Sequence, residues 1–221
     1  MSLKSEDIMT LLELLSSRIC HDLVSPVGAI NNGLEFMEDS TNDPYALKDA
    51  TELIAHSAAS AAARLMAFRL IYGAGGREGN MKAEDIQRAF GALIRSDGKV
   101  RQSWDPFGPL GISPATKGYC KTLMGVLVLG QECLPKGGTL YVDAGKGAET
   151  LIKAEGTGAV VRDQVEDALA GKIAPAELDP RLIHPYVMGL VAKAYDFNIT
   201  CLEKTENAVT WSIKQTASSL S

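Results

Sequence analysis

Residues 8–37 read IMTLLELLSSRICHDLVSPVGAINNGLEFM, and the spacing of their apolar members decides the fold of the first part of the chain. Ile8, Leu12, Leu15, Ile19, Leu23, Val27, Ile30, Leu34 and Met37 recur at steps of three and four, the signature of one stripe on a long helix. The turn formers of Glu38–Pro44 follow, with Asp43 suited to the N-cap and Pro44 to the first turn of a second helix. That helix carries Leu47, Ile54, Ala61, Leu65 and Phe68 on one stripe and runs to the breaker Gly73-Ala74-Gly75-Gly76. The small residues AHSAASAAA in its middle allow a neighbour to approach closely. An antiparallel helical hairpin is predicted, and because two helices enclose little core, two copies are expected to pair as a homodimeric four-helix bundle.

After Gly76 the periodicity becomes mixed. Helices are predicted over 83–95, 114–133, 161–170 and 180–196, and strands over 99–104, 139–143, 150–154, 199–203 and 208–214, the last two forming a hairpin across EKTEN. The fold class is therefore α+β, with a helical hairpin in residues 1–76 and a sheet covered on one face by helices in residues 77–221.

Composition narrows the function. The 221 residues are 46% hydrophobic and 22% charged with a net charge of −5, as in a folded domain, and without a basic run they offer no footprint for nucleic acid. No stretch reaches the roughly 20 apolar residues of a membrane span, and the first ten residues lack the pattern of a signal peptide. A cytoplasmic protein with no membrane contact is expected. Cys20, Cys120, Cys133 and Cys201 are widely separated, with no His at metal-ligand spacing, so they read as reduced and structural and no metal site is expected.

His21 stands out. At about 100° per residue it projects roughly opposite the apolar stripe, toward solvent. Ser17, Ser25 and Gly28 share its face and leave the imidazole uncrowded. Pro26 sits deep in the helical pattern, where it removes a hydrogen bond at a cost of about 3 kcal/mol in an ordinary context. Asp22 can accept a proton from one ring nitrogen and leave the other as a nucleophile. A lone His on a polar face is more often solvated surface, and that plain reading applies to His56 and His184, which have no comparable setting.

The stretch His21-Asp22-Leu23-Val24-Ser25-Pro26-Val27 resembles the H-box of sensor histidine kinases, H-E-L-R-T-P-L, with Val24 and Ser25 in place of Arg and Thr. The second part resembles their ATP-binding domain in outline. Pro135-Lys136-Gly137-Gly138 corresponds to the end of the N-box region, which places Gly125 and Leu129 at its two Asn positions. Ala154-Glu155-Gly156-Thr157-Gly158 takes the place of the D-x-G-x-G box, with Ala154 at the adenine-binding Asp, and Val187-Met188-Gly189-Leu190 takes that of the G-x-G-L box. An H-box near the N-terminus joined to an eroded nucleotide domain is similar to the ChpT-type histidine phosphotransferases of alphaproteobacterial phosphorelays.

That resemblance implies a phosphohistidine at His21 that shuttles a phosphoryl group between aspartates of response-regulator receiver domains. The donor would be the receiver of a hybrid histidine kinase and the acceptors downstream response regulators. His21 and Asp22 would be catalytic, with Arg18, Ser25, Pro26 and Arg64 as supporting or partner contacts. No cofactor is expected on this chain, ATP included; Mg²⁺ would come with the receiver. The competing readings are an active ATP-dependent histidine kinase and a non-catalytic module that binds a regulator.

Overall fold

A computed structural model describes residues 3–39, 43–73, 81–96 and 98–216. Helix α1 spans Ser5–Asp39 and runs through Pro26. Helix α2 spans Pro44–Ile71, and the Asp43 side chain accepts from the backbone N–H groups of Tyr45 and Ala46, the N-cap its sequence predicts. The two helices pack along each other as a hairpin. Small residues make the approach close: a Cβ on Gly33 would lie 2.6 Å from Ile54 Cγ1, and Ala50, Ser57 and Ala61 are buried. Residues 40–42 of the connecting turn, and 74–76 of the Gly-rich breaker with the boundary expected there, lie outside the described residues.

The second part contains α3 (Ala83–Arg95), β1 (Val100–Gln102), α4 (Tyr119–Glu132), β2 (Gly138–Ala144), β3 (Glu149–Glu155), α5 (Val165–Ala170), α6 (Ile183–Ala194), β4 (Phe197–Lys204) and β5 (Ala208–Gln215), with 3₁₀ turns at Pro175–Glu177 and Pro180–Leu182. The strands form one sheet in the order β1-β2-β3-β5-β4. β1 pairs with β2 in parallel, and the other neighbours are antiparallel, including the β4–β5 hairpin. Leu140, Val142, Ile152, Ala154, Val209, Trp211 and Ile213 are buried at alternate positions, and α4 packs on β2, β3 and β5, so one face of the sheet is covered by helix. The α+β architecture is the one expected.

Three helices begin later than periodicity suggests. α4 starts at Tyr119 because Gly118 has φ +78°, with the Tyr195 ring where a Cβ would stand. α5 starts at Val165 after Gln164 at φ 64°, which leaves Arg162 in a loop. α6 starts at Ile183, after the Pro180–Leu182 turn. The hairpin also buries differently from its apolar stripe. On α1 the inward line holds Leu11, Arg18, Asp22, Pro26 and Gly33, while the stripe residues Ile8, Leu12, Val27 and Leu34 stay exposed, as does Leu65 on α2.

Buried polar groups fasten the hairpin to the second part. Lys121 Nζ donates to the carbonyls of Ile71 and Gly73 at 2.5 and 2.8 Å, which satisfies and neutralises the C-terminal end of α2. His184 is fully buried. Its Nε2 donates to the Gly125 carbonyl at 3.0 Å, and its Nδ1 accepts from the Tyr72 hydroxyl at 2.8 Å. Burial pushes the Tyr72 phenol well above its ordinary pKa, which keeps that donor protonated. Leu11, Ala67, Leu70 and Ile71 join the core of the second part.

This arrangement makes stability depend on pH. Burial lowers the His184 pKa to about 4; Arg18 acts in the same direction, against Glu132, Asp22 and the Gly125 carbonyl. The unfolded chain protonates near 6.5, so between the two values it binds more protons than the folded one. The contribution is complete above about pH 6.5 and declines as pH falls toward 4, by about 2–3 kcal/mol at pH 4.5. Urea denaturation at pH 7 and 4.5 is expected to give a smaller stability difference for His184→Gln than for the natural protein by roughly that amount. Equal differences would exclude a neutral buried His184 as the cause.

Candidate functional site

The face of α1 that carries His21 is polar, and the inward line beside it carries Arg18 and Asp22, one helical turn apart. The His21 side chain is 88% exposed. Its Nδ1 lies 3.2 Å from Asp22 Oδ1. A carboxylate only accepts, so the shared proton belongs to Nδ1 and the lone pair of Nε2 is free. The tautomer that Asp22 selects is thus a nucleophile open to an approaching partner.

Asp22 is held in turn. Its Oδ2 stands 3.9 Å from Arg18 Nε, and Arg18 Nη2 is 2.5 Å from Glu132 Oε1 at the end of α4. Glu132 Oε2 is 3.9 Å from Arg162 Nη2. Burial is the strongest single influence on Arg18 and opposes its charge, but Glu132, Tyr72 and Asp22 together outweigh it and hold the guanidinium above its ordinary pKa. With carboxylates and guanidinium groups alternating along it, the chain His21–Asp22–Arg18–Glu132–Arg162 fixes the imidazole's partner across the joint between the two parts.

A cavity of about 420 Å³ opens beside His21, lined by Ser17, Arg18, Asp22 and Glu132 and, from the second part, by Arg162, Pro180 and Arg181. Arg181 is exposed on its 3₁₀ turn, and its guanidinium forms no ion pair among the described residues. Cations on two sides suit a group that gains negative charge on the ring.

The structure thus brings Arg18 and Asp22 together with His21. Ser25 is exposed one turn farther along α1, and Pro26 is buried. Arg64 lines a different cavity, which borders the first through Arg18 and Asp22. Sequence reasoning did not find Glu132, Arg162 or Arg181. Nothing local marks them: each is an ordinary charge at a helix end or in a loop, and the fold alone carries it to His21.

The positions corresponding to nucleotide ligands in kinases lie in the core. Gly125, Leu129 and Ala154 are buried, and a Cβ on Gly125 would lie 2.2 Å from Met188 Sδ. α6 therefore packs straight onto α4, with core side chains in place of ligand groups. Among the described residues no cluster of three or more His, Cys, Asp or Glu suits a metal ion, and no helix is long and apolar enough to cross a membrane.

Residues 83–207 match the family model of the histidine phosphotransferase C-terminal domain. Protein phosphotransferase ChpT of Brucella abortus (strain 2308) is 33% identical over 201 residues, 89% of this chain and 91% of that protein. A solved bacterial phosphotransferase is similar over 97% of this chain and 98% of its own, with a TM-score of 0.75 and 28% identity. The histidine kinase AdeS of Acinetobacter baumannii is a distant likeness, with a TM-score of 0.43 and 12% identity over 90% of this chain and 98% of that one.

Proposed function

The chain belongs to the ChpT-like histidine phosphotransferase family, and we propose that within this phosphorelay role His21 is the residue that carries the phosphoryl group. The observation that carries the reading is the 3.2 Å contact of Nδ1 with Asp22 on a ring 88% exposed. Nε2 attacks the phosphorus of a receiver's phosphoaspartate. The P–O bond to the aspartyl carboxylate breaks, that carboxylate leaves, and a P–N bond forms. The Nδ1 proton remains shared with Asp22, which offsets the positive charge that the ring acquires. The reverse displacement by the carboxylate of a second receiver frees His21.

Positioning does most of the work in such a transfer. The receiver supplies the phosphorylated aspartate and the Mg²⁺ that shields it, and this chain supplies the oriented imidazole and the cations Arg162 and Arg181 beside it. Because these two come from the second part, that part acts as a wall against which a receiver docks in the cytoplasm. The acceptors are downstream response regulators, and the donor is the receiver of a hybrid kinase. Exposed Ile8, Leu12, Val27 and Leu34 on α1 with Leu53 and Leu65 on α2 are the surface through which two hairpins pair as a four-helix bundle.

The test is to incubate the full chain with a phosphorylated receiver domain. Label that is acid-labile and base-stable is expected, as a phosphoramidate requires; acid-stable label would rule the phosphohistidine out.

ATP has no part in this reading, because Gly125, Leu129 and Ala154 offer no ligand to Mg²⁺ or adenine and Met188 packs against Gly125. Calorimetry with Mg·ATP is expected to show no binding at physiological concentrations, and [γ-³²P]ATP no self-labelling. Micromolar affinity with incorporation at His21 would favour the kinase reading instead.

A further inference from the structure

A second cavity, of about 430 Å³, lies between the hairpin and the second part and shares Arg18, Asp22, Glu132 and Arg162 with the His21 cavity as a common wall. Its volume is in the range of roughly 300–1,000 Å³ usual for ligand pockets. Phe68, Val100, Val128, Leu134 and Val160 give it apolar sides, and Arg64 and Lys99 add cations to Arg18 and Arg162. Even with Lys99 left out because it has a partner of its own, three guanidinium groups face the two carboxylates of Asp22 and Glu132. Arg64 Nε is buried without a hydrogen-bond acceptor among the described residues. A desolvated charged donor in that condition is costly unless an acceptor reaches it.

We propose that this cleft is a binding site for a small organic anion, a phosphate or carboxylate head on a compact apolar body. The head meets Arg64 and Arg162, and the body lies on Val100, Val128 and Val160. Charge and shape both enter: the excess of cations calls for an anion, and the apolar sides give no advantage to a bare hydrated ion. An anion held there competes with Glu132 and Asp22 for the arginines of the common wall. Since Asp22 is the Nδ1 partner of His21, occupancy alters the electrostatics of the imidazole. The binding site stands independently of the role proposed for His21, whereas the effect of occupancy on transfer rests on that role.

The experiment titrates the full chain with phenyl phosphate, inorganic phosphate, phenol and benzoate by calorimetry and methyl NMR. Phenyl phosphate or benzoate is expected to bind at least tenfold more tightly than inorganic phosphate or phenol, and whichever of the two binds better identifies the head. Nuclear Overhauser contacts from the ring to the methyls of Val100, Val128 and Val160 locate the ligand in the natural protein, whatever the behaviour of variants. Arg64→Gln is expected to weaken binding at least tenfold with the remaining methyl spectrum unchanged. His21 ring-proton resonances are expected to move on saturation in the natural protein. The site is overturned if no ring contacts to these valines are found, if inorganic phosphate binds as tightly as the organic anions, or if folded Arg64→Gln binds undiminished. Saturation without movement of the His21 resonances overturns the coupling.

Discussion

His21→Ala is expected to abolish labelling by a phosphorylated receiver, leaving only background. The size of the effect follows from the lack of a substitute. His184 is buried, both its ring nitrogens are hydrogen-bonded, and its pKa is lowered to about 4. His56 is exposed on α2, but it lines a different cavity, with Ala92 and Arg95 of α3, away from Asp22 and Arg181. Asp22→Asn provides the graded comparison. Its amide oxygen can still accept from Nδ1, but the negative charge that offsets the phosphorylated ring is lost. Transfer is expected to slow roughly a hundredfold, with label still appearing at His21. Undiminished labelling of His21→Ala would assign the phosphoryl group to another residue.

The second large effect concerns assembly. Leu53→Glu with Leu65→Glu is expected to convert the proposed dimer to folded monomer. Both leucines are exposed in the protomer, at 45% and 53%, so the protomer loses little by their replacement. A two-fold interface repeats each substitution and buries four carboxylates. At about 2 kcal/mol for each, the dissociation constant rises by on the order of 10⁶-fold. Ile54→Glu supplies the contrast, because Ile54 packs against Gly33 inside the hairpin, and it is expected to lower helicity and melting temperature as well. Light scattering with circular dichroism separates the two outcomes. A natural protein that scatters as a monomer, or a double variant that remains dimeric, would contradict pairing through this surface.

The helices of the hairpin, the exposure of His21 and the cap at Asp43 were legible in the sequence because each depends on residues within a turn or two of one another. A helix repeats every 3.6 residues, and a residue's direction follows from its neighbours. The strands were legible in the same way, from alternation between Gly-flanked turns. Periodicity could report that α1 has an apolar side, but not that Leu11, Arg18 and Asp22 would be turned inward while Ile8 and Leu12 remained exposed. That choice belongs to the partner: Glu132, 114 residues after Arg18 in the chain, compensates the guanidinium as it loses water.

The delayed starts of α4 and α5 likewise depend on single residues with positive φ, Gly118 and Gln164, which leave no periodic trace. Arg162 and Arg181 reach His21, and Arg64 turns to the neighbouring cleft, only through the packing of the second part against the hairpin. The exposure of His21 and its place beside Asp22 are short-range properties, and the sequence by itself determined them. The charges around that side chain are a long-range property, set by which surfaces must bury one another, and only the tertiary structure decided them.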